Sequence, residues 1–378
     1  MFKEVVDFIR EINHGRANIP LHEPKFAGNE KKYLNDCIDS GFVSSVGEYV
    51  TKFEIELANY TGAKRAVVIV NGTEALHLAL VVLSIGLGDE VITQPLTFIA
   101  TVNAITYSGA TPVFVDVDKT TMGMSPSSLH KFLIDNSEMK NGKCYNKTTG
   151  RQIKACIPMH TFGHPSRIDE IAEICNIYKI ALIEDAAESI GSKYKGISTG
   201  RFGVMGTLSF NGNKIITSGG GGAILTDNEE LADKAKHLST QAKIPHTWEY
   251  NHDHIGFNFR MPNINAALGL AQLENIDNFI SDKRKLALIY KTFFEEKGIE
   301  FFEEPTDAFS NYWLNAIILK DRNERDSFLK YTNENGIMTR PIWNLINKTT
   351  MFASNQCTSL LNAEWLEDKV VNIPSSVI

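Results

Sequence analysis

The chain has 378 residues, 43% of them hydrophobic, and a formal net charge of −7. It is long enough to bury a large core and too long for most single compact domains. Its acidic balance, with charges interspersed along the chain, argues against a nucleic-acid or anionic-membrane binder, so an anionic substrate must be held locally.

The opening MFKEVVDFIREI carries acidic residues where a signal peptide needs a basic region and an apolar core. The five cysteines, Cys37, Cys144, Cys156, Cys175 and Cys357, are scattered without C-x-x-C spacing. They read as thiols of a reducing compartment, which leaves the sequons at Asn146 and Asn347 idle and the protein cytoplasmic. The longest apolar stretch, Leu78 to Leu87, is well short of a membrane span.

Between residues 65 and 230 short apolar runs alternate with segments of helical length, as expected of a parallel sheet wrapped by helices. The runs are AVVIV (66–70), EVITQP (90–95), TPVFVDV (111–117), ACIPMH (155–160), IALIED (180–185), TLSF (207–210) and GGAILTD (221–227). Several are apolar throughout, so both sheet faces should be covered and the fold class is α/β. The helix after AVVIV starts at Asn71-Gly72-Thr73-Glu74, and a strand feeding a helix N-terminus is a natural anion site. NGKCYNKTTGR (141–151) reads as an exposed hairpin or loop. From about residue 250 the pattern changes to a long helical stretch, Ile264 to Phe294, then a mixed region with a helix near Asp326 to Asn335. Residues 1–250 are therefore expected to form an N-terminal arm and a large domain, and 251–378 a smaller α+β domain.

Lys214 stands between an apolar strand and four glycines, Gly219 to Gly222, that lead straight into the next strand. Backbone there must pass close to a planar or phosphorylated ligand, although an arbitrary lysine is usually a surface residue. The order of residues does not match a phosphate-binding P-loop. Asp185 ends the run IALIED, and ligands of open α/β sheets sit beyond the carboxyl ends of the strands. A buried carboxylate needs a cationic partner, and the protonated pyridine nitrogen of pyridoxal phosphate (PLP) is one; alone, Asp185 could equally be a helix N-cap. Glu188, one turn on, could reach the ring hydroxyl. Gly72, Thr73 and Ser209 could cradle a phosphate, and Phe98 offers a face for ring stacking, although each alone is an ordinary capping, strand-end or core residue.

The segments GTEAL (72–76), LTFIAT (96–101), EDAAE (184–188), SFNGNK (209–214) and GFNFRM (256–261) occur in the order seen in the DegT/DnrJ/EryC1/StrS sugar aminotransferases, which the chain resembles over nearly its whole length. The resemblance implies the PLP fold type I, aspartate-aminotransferase-like architecture and a homodimer with active sites at the subunit interface. It implies that Lys214 holds PLP as the Schiff-base lysine, that Asp185 pairs with the ring nitrogen and that Phe98 stacks on the ring. It further implies a phosphate site made by Gly72, Thr73 and Ser209 and joined by Asn258 from the partner subunit. The lysine favours transamination over the dehydration performed by a branch that carries histidine there.

The chain looks most similar to the subgroup aminating C4 of UDP-4-keto-6-deoxy-N-acetylglucosamine, on routes to bacillosamine or legionaminic acid. Glutamate is the expected amino donor, in a two-stage exchange where the freed amine of Lys214 also carries the proton. Alternatives are a C3 aminotransferase, a C3 dehydratase or a non-catalytic PLP-binding regulator. Arg340 and His164 are candidates for holding the nucleotide sugar, Arg340 because it can donate two parallel hydrogen bonds to a diphosphate. His246, His252 and His254 could suggest a metal, but their place just before GFNFRM reads better as a dimer-interface loop, and no metal is expected.

Overall fold

The computed structural model describes residues 2–377. Seven strands stand side by side in the order Arg65–Ile69, Gly222–Thr226, Met205–Ser209, Ala181–Asp185, Gln152–Ile157, Asp89–Thr93 and Thr111–Phe114. All neighbours are parallel except Gly222–Thr226, which runs antiparallel to both of its neighbours. A hairpin of Ser137–Lys140 and Lys143–Asn146 extends this sheet beside Gln152–Ile157. The segment 141–151, read as an exposed hairpin or loop, supplies the turn and second strand of this hairpin.

The α/β class and all seven apolar runs appear as read from the sequence. Asp89–Thr93 and Gly222–Thr226 are buried along their full length, as strands covered on both faces must be. Helices start where short polar side chains can take an orphan N–H: Asn71 caps Gly72–Val82, Ser125 caps Pro126–Asn136, and Asn228 caps Glu229–Ser239.

Two helical readings change. The long stretch from 264 is two helices, Asn263–Leu273 and Ile276–Glu296, separated at Glu274-Asn275. The later helix spans Arg322–Glu334 and begins earlier than expected, because the Asp321 side chain takes the Glu324 N–H and caps it.

A four-stranded antiparallel sheet, Glu300–Phe301, Asn315–Ile318, Val370–Ile373 and Arg340–Pro341, forms the C-terminal part. Packing crosses the 250/251 division in both directions. Helix Phe2–Ile12 sets Val5, Val6 and Ile9 into one apolar cluster with Tyr290, Phe294, Phe328 and Val371. Helix Asn263–Leu273 packs on Glu30–Ser40 and Glu48–Thr61.

Candidate active site

The register places Ile69, Gly222 and Ser209 abreast at one end of the main sheet, and Asp185 opposite Thr207 on the neighbouring parallel strand. Chain reversals from these strand ends enclose a cavity of about 330 Å³. It is lined by Asn71, Gly72, Thr73, Phe98, Thr101, Met159, Asp185, Glu188, Ser209, Lys214, Trp313 and Trp343, among others. Of the ten residues singled out in the sequence, seven line it: Gly72, Thr73, Phe98, Asp185, Glu188, Ser209 and Lys214. Arg340 lines the adjoining cavity, and His164 and Asn258 lie outside both.

Asp185 is 3% exposed. Thr101 Oγ1 donates to its Oδ2 at 2.7 Å, and the Ala187 N–H donates to Oδ1 at 3.1 Å. Burial pushes its carboxyl above the usual range, against the pull of those two donors. Glu188 is equally buried, on a turn rather than the helix expected from its spacing. Its Oε2 accepts from the Phe162 N–H at 2.9 Å and its Oε1 from Lys214 Nζ at 3.2 Å. Burial raises its carboxyl too, with Lys214 opposing. Lys214 Nζ also lies 3.9 Å from the centre of the Trp313 ring.

The anion-binding end is built by close approach. A Cβ on Gly222 would lie 2.6 Å from the Asn71 carbonyl carbon and 2.7 Å from Gly72 N, and one on Gly72 would lie 2.8 Å from Ser209 Cβ. Two bare backbones therefore let the start of helix Gly72–Val82 settle against the strand ends. The Asn71 side chain takes the Glu74 N–H at 2.8 Å. The N–H groups of Gly72 and Thr73 have no protein acceptor among the described residues, which suits an anion.

Phe98 is not a core residue: 53% exposed, it stands at the cavity rim. It also lines an adjoining cavity of about 500 Å³ with Arg340, Trp313 and Trp343. Arg340 itself is exposed there, donating to Asn333 Oδ1 and the Thr339 carbonyl, both at 3.1 Å.

His164 is corrected. It is fully buried away from both cavities, edge-on to Phe302 and Tyr312, with neither ring nitrogen bonded, and burial holds it neutral with its pKa down to about 3. It cannot touch a nucleotide. Asn258 is exposed and outside its own chain's cavity, accepting from Arg260 Nε at 3.2 Å. Asp253 and His254 of the histidine-rich loop converge with His237 of helix Glu229–Ser239, and not with His246 and His252. Asp253 Oδ1 lies 2.7 Å from His237 Nε2 and 3.0 Å from His254 Nδ1, and those bonds pull its carboxyl down to about 2.

Sequence reasoning missed Thr101, Trp313 and Trp343. Thr101 stood in a segment already singled out, and a hydroxyl one helical turn past Phe98 was the available signal. The two tryptophans come from the far C-terminal part, and nothing local linked them to Lys214.

The residues fit PLP. A helix start with free N–H groups suits the phosphate, the buried Asp185 carboxylate, hydrogen-bonded to Thr101 and Ala187 and to no lysine or arginine among the described residues, suits the ring nitrogen, and the Lys214 amine stands within the same cavity. Among known proteins, the profile of the DegT/DnrJ/EryC1/StrS aminotransferase family matches residues 24–377. A GDP-perosamine synthase of Escherichia coli O157:H7 is 41% identical over 357 residues, 94% of this chain and 93% of that one. One of Vibrio cholerae is 39% identical over 327 residues, 86% of this chain and 84% of that one. The crystal structure of a DegT DnrJ EryC1 StrS aminotransferase from Brucella abortus has a TM-score of 0.83 at 27% identity, covering 92% of this chain and 90% of that one. The aspartate-aminotransferase-like architecture is thereby shared with solved relatives, and the chain belongs to the DegT/DnrJ/EryC1/StrS family as a PLP-dependent sugar aminotransferase.

Proposed function

We propose that this enzyme transfers an amino group from L-glutamate to C4 of a nucleotide-linked 4-keto-6-deoxy sugar, with Lys214 as the residue that binds PLP covalently and moves the proton. The carrying observation is that Lys214 Nζ, the Asp185 carboxylate and the open helix start at Gly72 line one cavity. PLP supplies the aldehyde that takes up the amino group and a ring that accepts the electron pair released when a C–H bond breaks. Asp185 holds the ring nitrogen protonated. Gly72, Thr73 and Ser209 hold the phosphate, and Phe98 covers the ring. Lys214 Nζ, kept in place by Glu188 Oε1 and the Trp313 face, removes the proton from the donor α-carbon in the first half of the exchange and, in the second, delivers one to the sugar C4 that gains the nitrogen.

The adjoining cavity with Arg340, Trp343 and Phe98 is the space for the nucleotide. The relatives named GDP-perosamine synthase favour a GDP-linked acceptor over the UDP-linked N-acetylated sugar expected from the sequence. Asn258 completes the phosphate site of a second copy in a homodimer, whose contact is supported by Trp248, Tyr250 and Ile255, 75%, 79% and 89% exposed on the same loop. The free state of all five cysteines supports a cytoplasmic setting.

The test combines PLP-loaded protein, glutamate and 4-keto-6-deoxy sugars carried on GDP, UDP or dTDP. Release of 2-oxoglutarate, and NMR of the product showing nitrogen at C4, are expected, with both lost in Lys214→Ala. Wild-type protein that binds PLP yet releases no 2-oxoglutarate from glutamate would overturn the reading. Nitrogen at C3 would overturn the position alone.

A further inference from the structure

Glu184 precedes Asp185 on a strand, so its side chain points to the opposite face. There its carboxylate is fully buried, with no lysine or arginine among the described residues bonded to it. Four donors surround it instead: the N–H groups of Gly200, Phe202 and Gly203, and His160 Nε2 at 3.0 Å. Buried carboxylates persist when so many donors converge on them. The Ser166 N–H donates to His160 Nδ1 at 3.1 Å, which assigns the proton of the neutral ring to Nε2, facing Glu184.

His160 is also tied to the cofactor cavity through its backbone. Its N–H donates to the Asp185 carbonyl at 3.2 Å, and the Asp185 N–H donates to Pro158 O at 2.9 Å. Two residues on, Phe162 adopts φ +57, a left-handed conformation that a bulky side chain holds only when its surroundings enforce it. The N–H presented by that residue is the one bonded to Glu188 Oε2. Segment 158–163 thus touches Asp185 on one side and Glu188 on the other.

We propose that His160 is a positioning residue for PLP: clamped between Glu184 and Ser166, it holds the 158–163 turn so that Asp185 and Glu188 face the cofactor at fixed places. The idea rests on the assignment of this cavity to PLP and adds a role for a residue that never touches the ligand. Removing the clamp frees the strained Phe162 turn to relax, which moves the Glu188 anchor and loosens Asp185.

Two substitutions separate its two bonds. His160→Gln keeps a donor within reach of Glu184, whereas His160→Asn keeps an acceptor near the Ser166 N–H and withdraws from Glu184. PLP affinity of the apo-protein and the visible circular dichroism of bound PLP, which reports how the ring is held, are the readouts. For His160→Asn the expected result is a PLP dissociation constant raised roughly tenfold or more with an altered dichroic band. His160→Gln should restore most of both. Affinity and dichroism within about twofold of wild type in His160→Asn overturn the inference, whatever the melting temperature does. So does an affinity loss that Gln does not repair. If wild type itself fails to bind PLP covalently, the cavity assignment is what fails, a result visible before any His160 variant is made.

Discussion

The amine of Lys214 lies 3.9 Å from the centre of the Trp313 ring, and the indole Nε1–H is itself fixed by the Asn213 carbonyl at 2.7 Å. A residue a hundred positions away in sequence therefore sets both the face seen by the amine and the backbone of the loop carrying it. Cation–π contacts of partly desolvated lysines contribute about 1–2 kcal/mol. Trp313→Leu is expected to slow covalent PLP capture about tenfold, followed as growth of the visible absorbance band. Trp313→Phe, which keeps a ring and loses the bond to Asn213, should fall between it and wild type.

Glu188 and Lys214 form a buried ion pair at 3.2 Å, and removing one partner of such a pair leaves an uncompensated charge. Because Lys214 faces a cavity that admits water, Glu188→Ala should cost about 1–3 kcal/mol of apo-protein stability. Glu188→Gln, still able to accept from the Phe162 N–H, should recover at least half of that in denaturant melts while turnover stays reduced.

Lys283 is fully buried, donating to the Ser375 carbonyl, and burial brings its pKa down from 10.5 to about 7. The folded state releases this proton more readily than the unfolded one. Stability from this group therefore rises with pH between about 7 and 10.5 and stays at its low level below 7. Lys283→Met should be more stable than wild type at pH 6, by on the order of a few kcal/mol, with the gap closing toward pH 10. Urea titrations at both pH values measure it.

His164 works the other way along the scale. Its folded pKa of about 3 lies below the usual 6.5, so the stability it contributes when neutral is lost as pH falls from about 6.5 to 3. Both ring nitrogens lie buried without a partner, a cost that a hydrocarbon ring avoids. His164→Phe is expected to lower the pH midpoint of acid unfolding, monitored by far-UV circular dichroism, and to leave glutamate turnover unchanged.

Much of the fold was readable because its strands are apolar along their length and punctuated by glycine and polar caps; Gly222, Asn71 and Asp185 all sit where such punctuation places them. The break between Leu273 and Ile276 was not readable, since Glu274 and Asn275 carry no strong helix-stop signal. Asp185 was legible from the rule that ligands gather beyond the carboxyl ends of strands, and Lys214 from the glycine run that follows it; both line the cavity. His164 was misread because a histidine in a turn looks accessible, and its burial against Phe302 and Tyr312 depends on residues about 140 positions later. Trp313 was invisible for the same reason: long-range packing leaves no periodic trace.

Reversed relative to its two neighbours, strand Gly222–Thr226 brings the exit of the Lys214 loop against the start of the Gly72 helix. A cofactor bridging the two grips segments separated by some 140 residues, so it acts as a cross-link that the chain acquires only once folded. Its binding free energy adds directly to the stability of the native state. Protein freed of its cofactor should therefore be cut by proteases sooner than the loaded form.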